Sequence, residues 1–354
     1  MVTTATRPRA QAQPRVGVTR VPRLCLALQA PTMEELVAKA ENATREVDFL
    51  EFRLDALKQP SGAGAALEQF LRSSPRTTAV ATCRRQACGG GFKGTVEAEV
   101  AILKAAAKAG CGLVDIELQS AERLGENGLA ELRRHAGLVI SHHDFKTTPA
   151  LAPLLTRLRR FEADFYKLVP TATAFKHNLN LLEVLEDASA ENPLENLVAF
   201  CMGEAGLPSR LLSLRAGTAF TFGALSAGDA TAPGQPTLEE LRTLYRVDTL
   251  NRATQVYGVL GFPLAHSLSP RMQNAAFRRA GVNAIYLPLA TRRPEEVLQA
   301  AHAIPLNGLS VTHPHKSAFL KKLERLDPLA ESVGAINTVV RSQGKFYGYN
   351  TDVA

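Results

Sequence analysis

Two side chains in short apolar runs of this sequence could carry out carbonyl chemistry. Lys167 lies inside the run DFYKLV (164–169). Burial in such a run favours the neutral amine of a lysine, which can attack a carbonyl group and form an imine. His143, in the run GLVISHHDF (137–145), titrates near neutral pH and can move protons. Taken singly, the lysine could equally be a core residue whose amine has its hydrogen-bond partners, and the histidine could have only a structural role.

Further polar residues end neighbouring apolar runs. Glu51 and Arg53 end the second run, Arg84 ends the third, and Arg210 follows the seventh. Because the carboxyl ends of parallel strands meet at one edge, these side chains are predicted to converge with Lys167 and His143. Their shared position favours an active site over scattered surface charges.

The elements that must position these residues follow an alternating pattern. Eight apolar runs alternate with amphipathic helical stretches between residues 24 and 250, and this predicts a (β/α)8 barrel. A last helical stretch over 236–253 is predicted to close the set. The runs are LCLALQ (24–29), VDFLEFRLD (47–55), TTAVATCR (77–84), GLVDIEL (112–118), GLVISHHDF (137–145), DFYKLV (164–169), NLVAFCMG (196–203) and TAFTFGAL (218–225).

From residue 254 the pattern changes to that of a second α/β domain. A strand leads into a helix that begins near Pro270 and ends at Gly281. Two more strands and a hairpin-like pair follow, so the predicted organisation is a tail over 1–22, a barrel over 23–253 and a partial α/β domain over 254–354.

Composition and charge exclude several classes of protein. The 354 residues carry a formal net charge of +7, but the first 23 contain five arginines and no acid, which leaves about +2 for the rest. That remainder is too small for a nucleic-acid surface. No apolar run reaches the roughly 18 residues of a membrane span. The five scattered cysteines predict neither a disulfide framework nor a metal site.

The tail and the cysteines bear on localisation. The tail is predicted to be disordered and lacks the apolar segment of a secretory signal. Together with reduced thiols this predicts a cytoplasmic protein, or an organellar one if the arginine-rich tail is a transit peptide.

A glycine-rich loop imitates a dinucleotide-binding fingerprint. The segment GGGFKG (89–94) satisfies G-x-G-x-x-G, and Asp115 and Glu117 end the next strand. Gly89, however, lies several residues beyond the strand, where the fingerprint requires a glycine in the tight turn. We therefore predict a barrel loop rather than a cofactor site.

The motifs resemble two families in tandem. Residues 24 to about 250 resemble type I 3-dehydroquinate dehydratase through EFRLD, TCRR…GG, SHHDF, YKLV, MGEAGLPSR and APGQ. Residues 256–354 resemble the substrate-binding half of shikimate dehydrogenase through GFPLAHSLSP, SVTHPHK, GAINTVV and GYNTD. This order is similar to that of plant-type bifunctional enzymes. The resemblance implies conversion of 3-dehydroquinate to 3-dehydroshikimate through a lysine Schiff base, in the shikimate pathway of aromatic amino-acid biosynthesis.

The resemblance also implies roles for residues of the barrel. Lys167 would form the Schiff base and His143 would be the base. The implied substrate-binding residues are Arg210 for the carboxylate, Glu51, Arg53 and Arg84 for ring hydroxyls and one another, and Thr231 and Gln235 as a closing loop. Cys88 stands where the family usually has a Glu that assists the histidine. We expect a lower rate or a shifted pH dependence, with activity retained.

In the second region the resemblance implies a proton-transfer pair, Lys316 and Asp352. The implied substrate-binding residues are Ser267, Ser269, Thr312, Asn337 and Thr351. The serines could instead cap a helix, and Lys316 could be a surface lysine. The family's dehydrogenase uses NADP, but the sequence ends two residues after Asp352 without a further glycine-rich turn. We therefore expect no NADP domain and no dehydrogenase activity in this chain.

The predicted partners are small molecules: 3-dehydroquinate, 3-dehydroshikimate and shikimate. No nucleic acid, membrane, metal or dehydratase cofactor is expected, and a homodimer is allowed. Two alternatives stay open. One is another Schiff-base barrel of the class I aldolase type, which usually has a phosphate site after the last two strands. The other is a non-catalytic remnant that binds pathway metabolites.

Overall fold

The computed structural model describes residues 20–191, 194–264, 266–300 and 304–353. The predicted tail therefore lies, up to residue 19, outside the described residues. Residues 24–223 contain eight parallel strands joined by helices. The strands are β1 (Leu24–Leu28), β2 (Phe49–Arg53), β3 (Thr78–Thr82), β4 (Leu113–Glu117), β5 (Gly137–His143), β6 (Phe165–Val169), β7 (Leu197–Ala199) and β8 (Thr221–Gly223).

The strands form one curved sheet in the order β7-β6-β5-β4-β3-β2-β1-β8. Its two ends approach each other, since the amide of Ala219 donates to the carbonyl of Leu197 at 2.8 Å. This nearly closed barrel confirms the predicted (β/α)8 fold.

Side-chain alternation along the strands gives the barrel a floor and a mouth. In β2, Phe49 lies in the apolar cluster at the floor, whereas Glu51 and Arg53 point the same way two and four residues later. The same order of one apolar and two polar positions recurs in Val80/Thr82/Arg84, Leu113/Asp115/Glu117 and Val139/Ser141/His143. The alternate residues of each strand face the surrounding helices, so the polar groups collect at the carboxyl ends.

Two of the helices around the barrel begin at threonine side chains that cap them. Thr32 and Thr95 accept hydrogen bonds from the amides of Glu35 and Ala98, which satisfies free donors in the first turns of two helices. The helices are α1 (Met33–Ala43), α2 (Ala63–Ser73), α3 (Val96–Lys108), α4 (Leu118–Arg133), α5 (Leu151–Leu158), α6 (Lys176–Glu191) and α7 (Leu207–Ala216).

The predicted closing helix over 236–253 is wrong in length. The helical segment ends in a wide turn over Glu240–Leu244, in which the amide of Tyr245 bonds to the carbonyl of Glu240, five residues back. Arg246 then adopts a left-handed φ of 51°, which a continuous helix cannot contain.

The second region is a six-stranded mixed sheet in the order β10-β9-β11-β13-β14-β12. Its strands are β9 (Gln255–Gly261), β10 (Ala284–Ala290), β11 (Leu306–Val311), β12 (Arg325–Leu326), β13 (Thr338–Ser342) and β14 (Lys345–Tyr349). Its helices are α8 (Ser269–Arg279), α9 (Glu295–Ala300) and α10 (Pro328–Val333). The predicted helix at Pro270 and the hairpin are both present, and Gly281 follows the helix with φ 67°.

Candidate active site

A small cavity lies at the mouth of the barrel. Its volume is about 30 Å³, which is room for about one water molecule. The polar residues that line it are Glu51, Arg53, Arg84, His143, Lys167, Arg210, Thr231 and Gln235. All eight barrel residues singled out for substrate or catalysis in the sequence therefore meet in one place.

Lys167 is buried, with 3% of its surface exposed, but it is not in a purely apolar environment. Its Nζ donates to Asp115 Oδ2 at 3.0 Å and lies 3.6 Å from Glu51 Oε1. The ring of Phe222 lies below the amine, 3.9 Å from Nζ to the centroid. Burial opposes ionisation of Asp115, but attraction to Lys167 and then Arg84 outweighs it and holds the pKa of that carboxyl below its usual range.

His143 contacts a carboxylate that the sequence argument did not assign to it. Its Nδ1 is hydrogen-bonded to Glu117 Oε1, and its ring is stacked at 6.0 Å on Phe145. Burial, followed by repulsion from Arg84 and Lys167, holds the pKa of His143 well below its usual value. Burial also raises the pKa of Glu117 to about 8, against the attraction of Arg84. The two buried groups thus share a hydrogen bond in which either can hold the proton.

Two buried guanidinium groups have nitrogen atoms without hydrogen-bond partners among the described residues: Nε and Nη2 of Arg84, and Nε of Arg210. Arg84 lies 3.0 Å from Glu117 without hydrogen-bond alignment. Arg210 stacks on Phe200 and donates to the carbonyl of Phe222 at 3.0 Å. Desolvation lowers the pKa of Arg210 to about 9. Such an uncompensated cation is suited to an anionic ligand.

The predicted contacts among Glu51, Arg53 and Arg84 are not the ones that form. Arg53 makes two parallel hydrogen bonds to Asp55, at 2.9 and 2.7 Å. Glu51 accepts from the hydroxyl of Thr82 at 2.7 Å. Glu51 is therefore paired across to β3, whereas Arg53 is paired with the residue two positions later in its own motif.

The segment containing Thr231 and Gln235 covers the cavity. Gln235 Oε1 accepts from the amide and the hydroxyl of Thr231, at 2.7 and 3.0 Å. Gly234 between them has φ 66° and lies so close to Gly203 that a Cβ would meet its carbonyl carbon at 2.4 Å. The close backbone approach fixes this lid segment against the turn after β7.

The glycine-rich loop 89–94 packs closely against the residues that end β3 and follow β2. A Cβ on Gly90 would lie 2.1 Å from the carbonyl oxygen of Arg84, and one on Gly91 would lie 2.5 Å from that of Asp55. The amide of Gly91 donates to Asp55 Oδ2 at 3.0 Å. These glycines therefore permit close contact with Arg84 and Asp55 rather than with a phosphate group. A loop packed in this way does not fit NADP.

Cys88 lies in the same loop but its thiol is directed to the outer side. Its Sγ lies 3.3 Å from Gln119 Oε1 and 3.9 Å from a guanidinium nitrogen of Arg85. Burial raises the pKa of this thiol to about 11, so it stays neutral at physiological pH.

A second polar cluster lies where β11 and β14 end and β13 begins. Lys316 Nζ pairs with Asp352 Oδ2 at 2.5 Å, and Asn337 Nδ2 donates to Asp352 and Thr351 at 2.8 and 2.9 Å. Thr312 lies at the same strand ends, directly after β11. The structure therefore brings four of the predicted residues into contact.

Ser267 and Ser269 lie beyond β9, at the turn into α8. Ser267 lines a larger cavity of about 1210 Å³ between the barrel and the second sheet. Gln235 from the lid segment and Arg292 from the second domain line the same cavity.

Within residues 20–191, 194–264, 266–300 and 304–353 there is no cluster of three His, Cys, Asp or Glu side chains suited to a metal ion. In the same ranges no helix combines the length and apolar character needed to cross a bilayer.

Sequence reasoning missed Asp115 and Glu117 as members of the barrel site. It considered them only as ribose ligands of the glycine-rich decoy. Their signal was present, because they occupy the same alternate positions at the end of β4 that Glu51 and Arg53 occupy in β2.

A parallel eight-stranded barrel with a buried lysine, histidine and arginines at the carboxyl ends of its strands defines a (β/α)8-barrel enzyme. Comparison with known families identifies which one. The family model described as type I 3-dehydroquinase matches residues 24–252, and the chain belongs to that family. The model described as the shikimate dehydrogenase substrate binding domain matches residues 259–339, so the predicted tandem resemblance is confirmed.

Individual relatives agree with both matches. The chain is 33% identical over 335 residues to a chloroplastic bifunctional 3-dehydroquinate dehydratase/shikimate dehydrogenase of Arabidopsis thaliana, which covers 93% of this chain and 54% of the relative. The chain thus spans about half the length of that relative. It is 37% identical to a 3-dehydroquinate dehydratase of Dehalococcoides mccartyi, across 64% of this chain and 96% of the relative.

Among solved structures, a dehydroquinate dehydratase and shikimate dehydrogenase from S. pombe superposes with a TM-score of 0.55 at 25% identity. The match covers 94% of this chain and 65% of that chain.

Proposed function

We propose that the barrel is a 3-dehydroquinate dehydratase that works through an imine on Lys167. The observation that carries this proposal is the meeting of a buried lysine amine, a buried histidine and the cation Arg210, which has no carboxylate partner among the described residues, in one cavity. The proposed reaction removes one water from 3-dehydroquinate and yields 3-dehydroshikimate. It uses groups of the protein alone.

The first step makes the amine of Lys167 reactive. The carboxylates of Asp115 and Glu51 attract its ammonium form, so the amine must transfer a proton before it attacks. Asp115, 3.0 Å away, is the nearest acceptor. The neutral Nζ then adds to the ketone carbon of the substrate. Asp115 returns its proton to the former carbonyl oxygen, which leaves as water and gives a protonated imine.

The second step moves a proton and expels the hydroxyl. The imine withdraws electrons, which makes a proton on the adjacent carbon more acidic. His143 takes that proton through Nε2, because Nδ1 is held by Glu117. The electron pair forms the new carbon–carbon double bond as the C–OH bond breaks, and the hydroxyl takes the proton back from His143 and leaves as water. Hydrolysis of the imine returns Lys167 and releases the product.

Arg210 is proposed to bind the substrate carboxylate. Its guanidinium is 2% exposed and stacks at 3.9 Å on Phe200, so it is held rigidly before the ligand arrives. An anion here would supply the hydrogen bonds and the charge that the protein does not. Glu51, Arg53 and Arg84 are proposed to bind ring hydroxyls, and Thr231 and Gln235 to close the site.

The barrel is assigned to residues 23–253 and the second domain to 254–354. For the second domain we infer that Lys316 and Asp352 are a proton-transfer pair of the shikimate dehydrogenase type. Ser267, Ser269, Thr312, Asn337 and Thr351 are the proposed ligands for 3-dehydroshikimate or shikimate. The direct contacts among Lys316, Asp352, Asn337 and Thr351 support this assignment. No step through NADP is derived from these residues.

Localisation and assembly stay as predictions from the sequence. The protein is expected in the cytoplasm, or in an organelle if the basic tail is a transit peptide; the Arabidopsis relative is described as chloroplastic. A homodimer is compatible with the proposed function and is tested by light scattering.

The dehydratase proposal is tested by trapping the imine. The protein is incubated with 3-dehydroquinate and reduced with borohydride, and the adduct is mapped by mass spectrometry. We expect one adduct, on Lys167, which is lost in Lys167→Ala and kept in the control Lys146→Ala, an exposed lysine beyond β5. The absence of any adduct would remove the Schiff-base mechanism, and an adduct on another lysine would remove the assignment of Lys167.

A further inference from the structure

We propose that Glu117 is the positioning residue that orients His143 and sets which of its ring nitrogens is free. This inference rests on the proposed dehydratase function. It gives a partner to the histidine in a chain where Cys88 replaces the Glu that the family usually carries. It also changes the expected cost of that replacement, because the carboxylate is supplied from β4 rather than from the glycine-rich loop.

The contacts of Glu117 support this role. Its side chain and that of His143 are each 5% exposed, and Oε1 contacts Nδ1 of the imidazole. The carboxyl group is fixed from another side by Arg84, whose Nε lies 3.0 Å away. Phe145 stacks on the imidazole and restricts its rotation. The ring of His143 is thus clamped between a carboxylate and an aromatic face.

Cys88 cannot supply the same interaction in this arrangement. Its sulfur is engaged with Gln119 and Arg85 on the outer side of the loop. A neutral thiol is also a weak hydrogen-bond acceptor, whereas a carboxylate bonded to Nδ1–H stabilises that tautomer and leaves Nε2 unprotonated.

The proton shared by the pair decides whether His143 can act as a base. When Glu117 is ionised, it accepts from Nδ1–H, and Nε2 has a free lone pair. When the pair holds one more proton, Nε2–H is formed, and the histidine can only donate. Burial raises the pKa of Glu117 to about 8, so the base form gains population as the pH rises toward that value.

Several other charged groups surround this pair, and any pH dependence includes their influence. They are Arg53 on β2, Arg84 at the end of β3, Glu99 on α3, Asp115 on β4, His142 on β5 and Lys167 on β6. The cations favour ionised Glu117 and neutral His143, whereas Asp115 and Glu99 oppose ionisation of Glu117. Because most of these groups belong to the site itself, the test uses variants outside the reacting groups as controls.

The test compares kcat/KM across pH 5.5 to 9.5 for the wild type, Glu117→Gln and two controls. In the wild type we expect kcat/KM to rise with a midpoint near pH 8 and to level off above about pH 9. In Glu117→Gln we expect kcat to fall by about 10²-fold, as loss of an oriented base predicts. We also expect the rise of kcat/KM near pH 8 to disappear. Cys88→Ala and Glu131→Gln should keep the wild-type rise of kcat/KM near pH 8, since the Cys88 thiol contacts Gln119 and the exposed carboxylate of Glu131 pairs with Lys104.

Trapping on Lys167 separates this inference from the proposed function. If Glu117→Gln still forms the borohydride adduct but loses turnover, both proposals stand. If Glu117→Gln keeps turnover within about threefold of the wild type and also keeps the rise of kcat/KM near pH 8, the proposed role of Glu117 is wrong and the dehydratase proposal stands. Failure of the wild type to form any adduct would overturn the dehydratase proposal instead.

A measurement on the wild type covers the case in which the variant does not fold. Nitrogen NMR of 15N-histidine-labelled protein at pH 9 reports which ring nitrogen is protonated, with His143→Gln used for assignment. We expect protonated Nδ1 and unprotonated Nε2 for His143. Protonated Nε2 at that pH would contradict the proposed role of Glu117.

Discussion

Replacing Arg210 with methionine should make the free protein more stable and the enzyme much poorer. The guanidinium is buried, and among the described residues it has no carboxylate partner and one of its nitrogen atoms has no hydrogen bond. Methionine is an unbranched apolar side chain of comparable length and can keep the packing against Phe200. The change therefore removes a desolvated charge while leaving most of the apolar contacts.

The magnitude follows from the lowered pKa. Desolvation takes the pKa of Arg210 from 12.5 to about 9, and at ~1.4 kcal/mol for each pH unit the charged form costs about 5 kcal/mol in the folded protein. Because the folded-state pKa is the lower one, this cost applies fully below about pH 9 and fades only as the pH rises from there toward 12.5. Loss of the hydrogen bond to Phe222 offsets about 1 to 2 kcal/mol of the gain.

We therefore expect Arg210→Met to raise the free energy of unfolding by about 3 to 4 kcal/mol at pH 7. Binding of an anionic substrate should suffer in the opposite direction, because loss of a buried charge partner costs about 2 to 5 kcal/mol, or about 30- to 5,000-fold in kcat/KM. Urea unfolding of the free protein and steady-state kinetics with 3-dehydroquinate measure the two effects, with exposed Arg72→Met as a control.

The reasoning fails if Arg210→Met is less stable than the wild type by more than 1 kcal/mol while kcat/KM stays within fivefold. That result would mean that Arg210 is a structural cation and that the substrate carboxylate binds elsewhere. A variant that is destabilised and also inactive would refute the stability estimate and leave the binding role intact.

Three further predictions test other parts of the molecule. Gly234→Ala should lower kcat/KM at least tenfold, because a Cβ would collide with Gly203 and hold the lid segment open. Gly228→Ala is the control, because a Cβ there meets no close neighbour. Equal kcat/KM for Gly234→Ala and the wild type would contradict the closed lid. Cys88→Glu should leave kcat within about threefold at pH 8, since Glu117 already holds His143, and a large gain would show that the cysteine limits the enzyme. Lys316→Met should abolish calorimetric binding of shikimate, whereas exposed Lys321→Met should not, and unchanged binding would remove the second site.

The fold and most of the barrel site were predictable because each rests on a local pattern. Alternation along β2 and β5 indicates which residues face inward, and parallel strands then force Arg53 and His143 to one end. The length of the last helix was not predictable in this way. It depends on a left-handed residue at Arg246 and on the packing of Tyr245, which no periodicity encodes.

The pairing of charges was also beyond the sequence. Glu51, Arg53 and Arg84 belong to the motifs EFRLD and TCRR, and the family resemblance predicted that they contact one another. Arg53 instead pairs with Asp55 in the turn directly after β2, and the neighbouring strands pair Arg84 with Glu117 and Lys167 with Asp115. Burial depth decides the pKa of Glu117, and burial depth depends on the whole barrel.

These pairings leave the barrel mouth with an unbalanced charge that bears on which ligand it accepts. It contains four cationic side chains and four carboxyl groups, namely Arg53, Arg84, Lys167 and Arg210 against Glu51, Asp55, Asp115 and Glu117. Because burial raises the pKa of Glu117 to about 8, one carboxyl group keeps its proton at neutral pH, and the site is left with one excess positive charge. A ligand with a single carboxylate neutralises that charge at Arg210. Ionisation of Glu117 at higher pH frees Nε2 of His143 as a base but removes the excess charge, so the group that enables proton abstraction also limits how tightly the anion can be held.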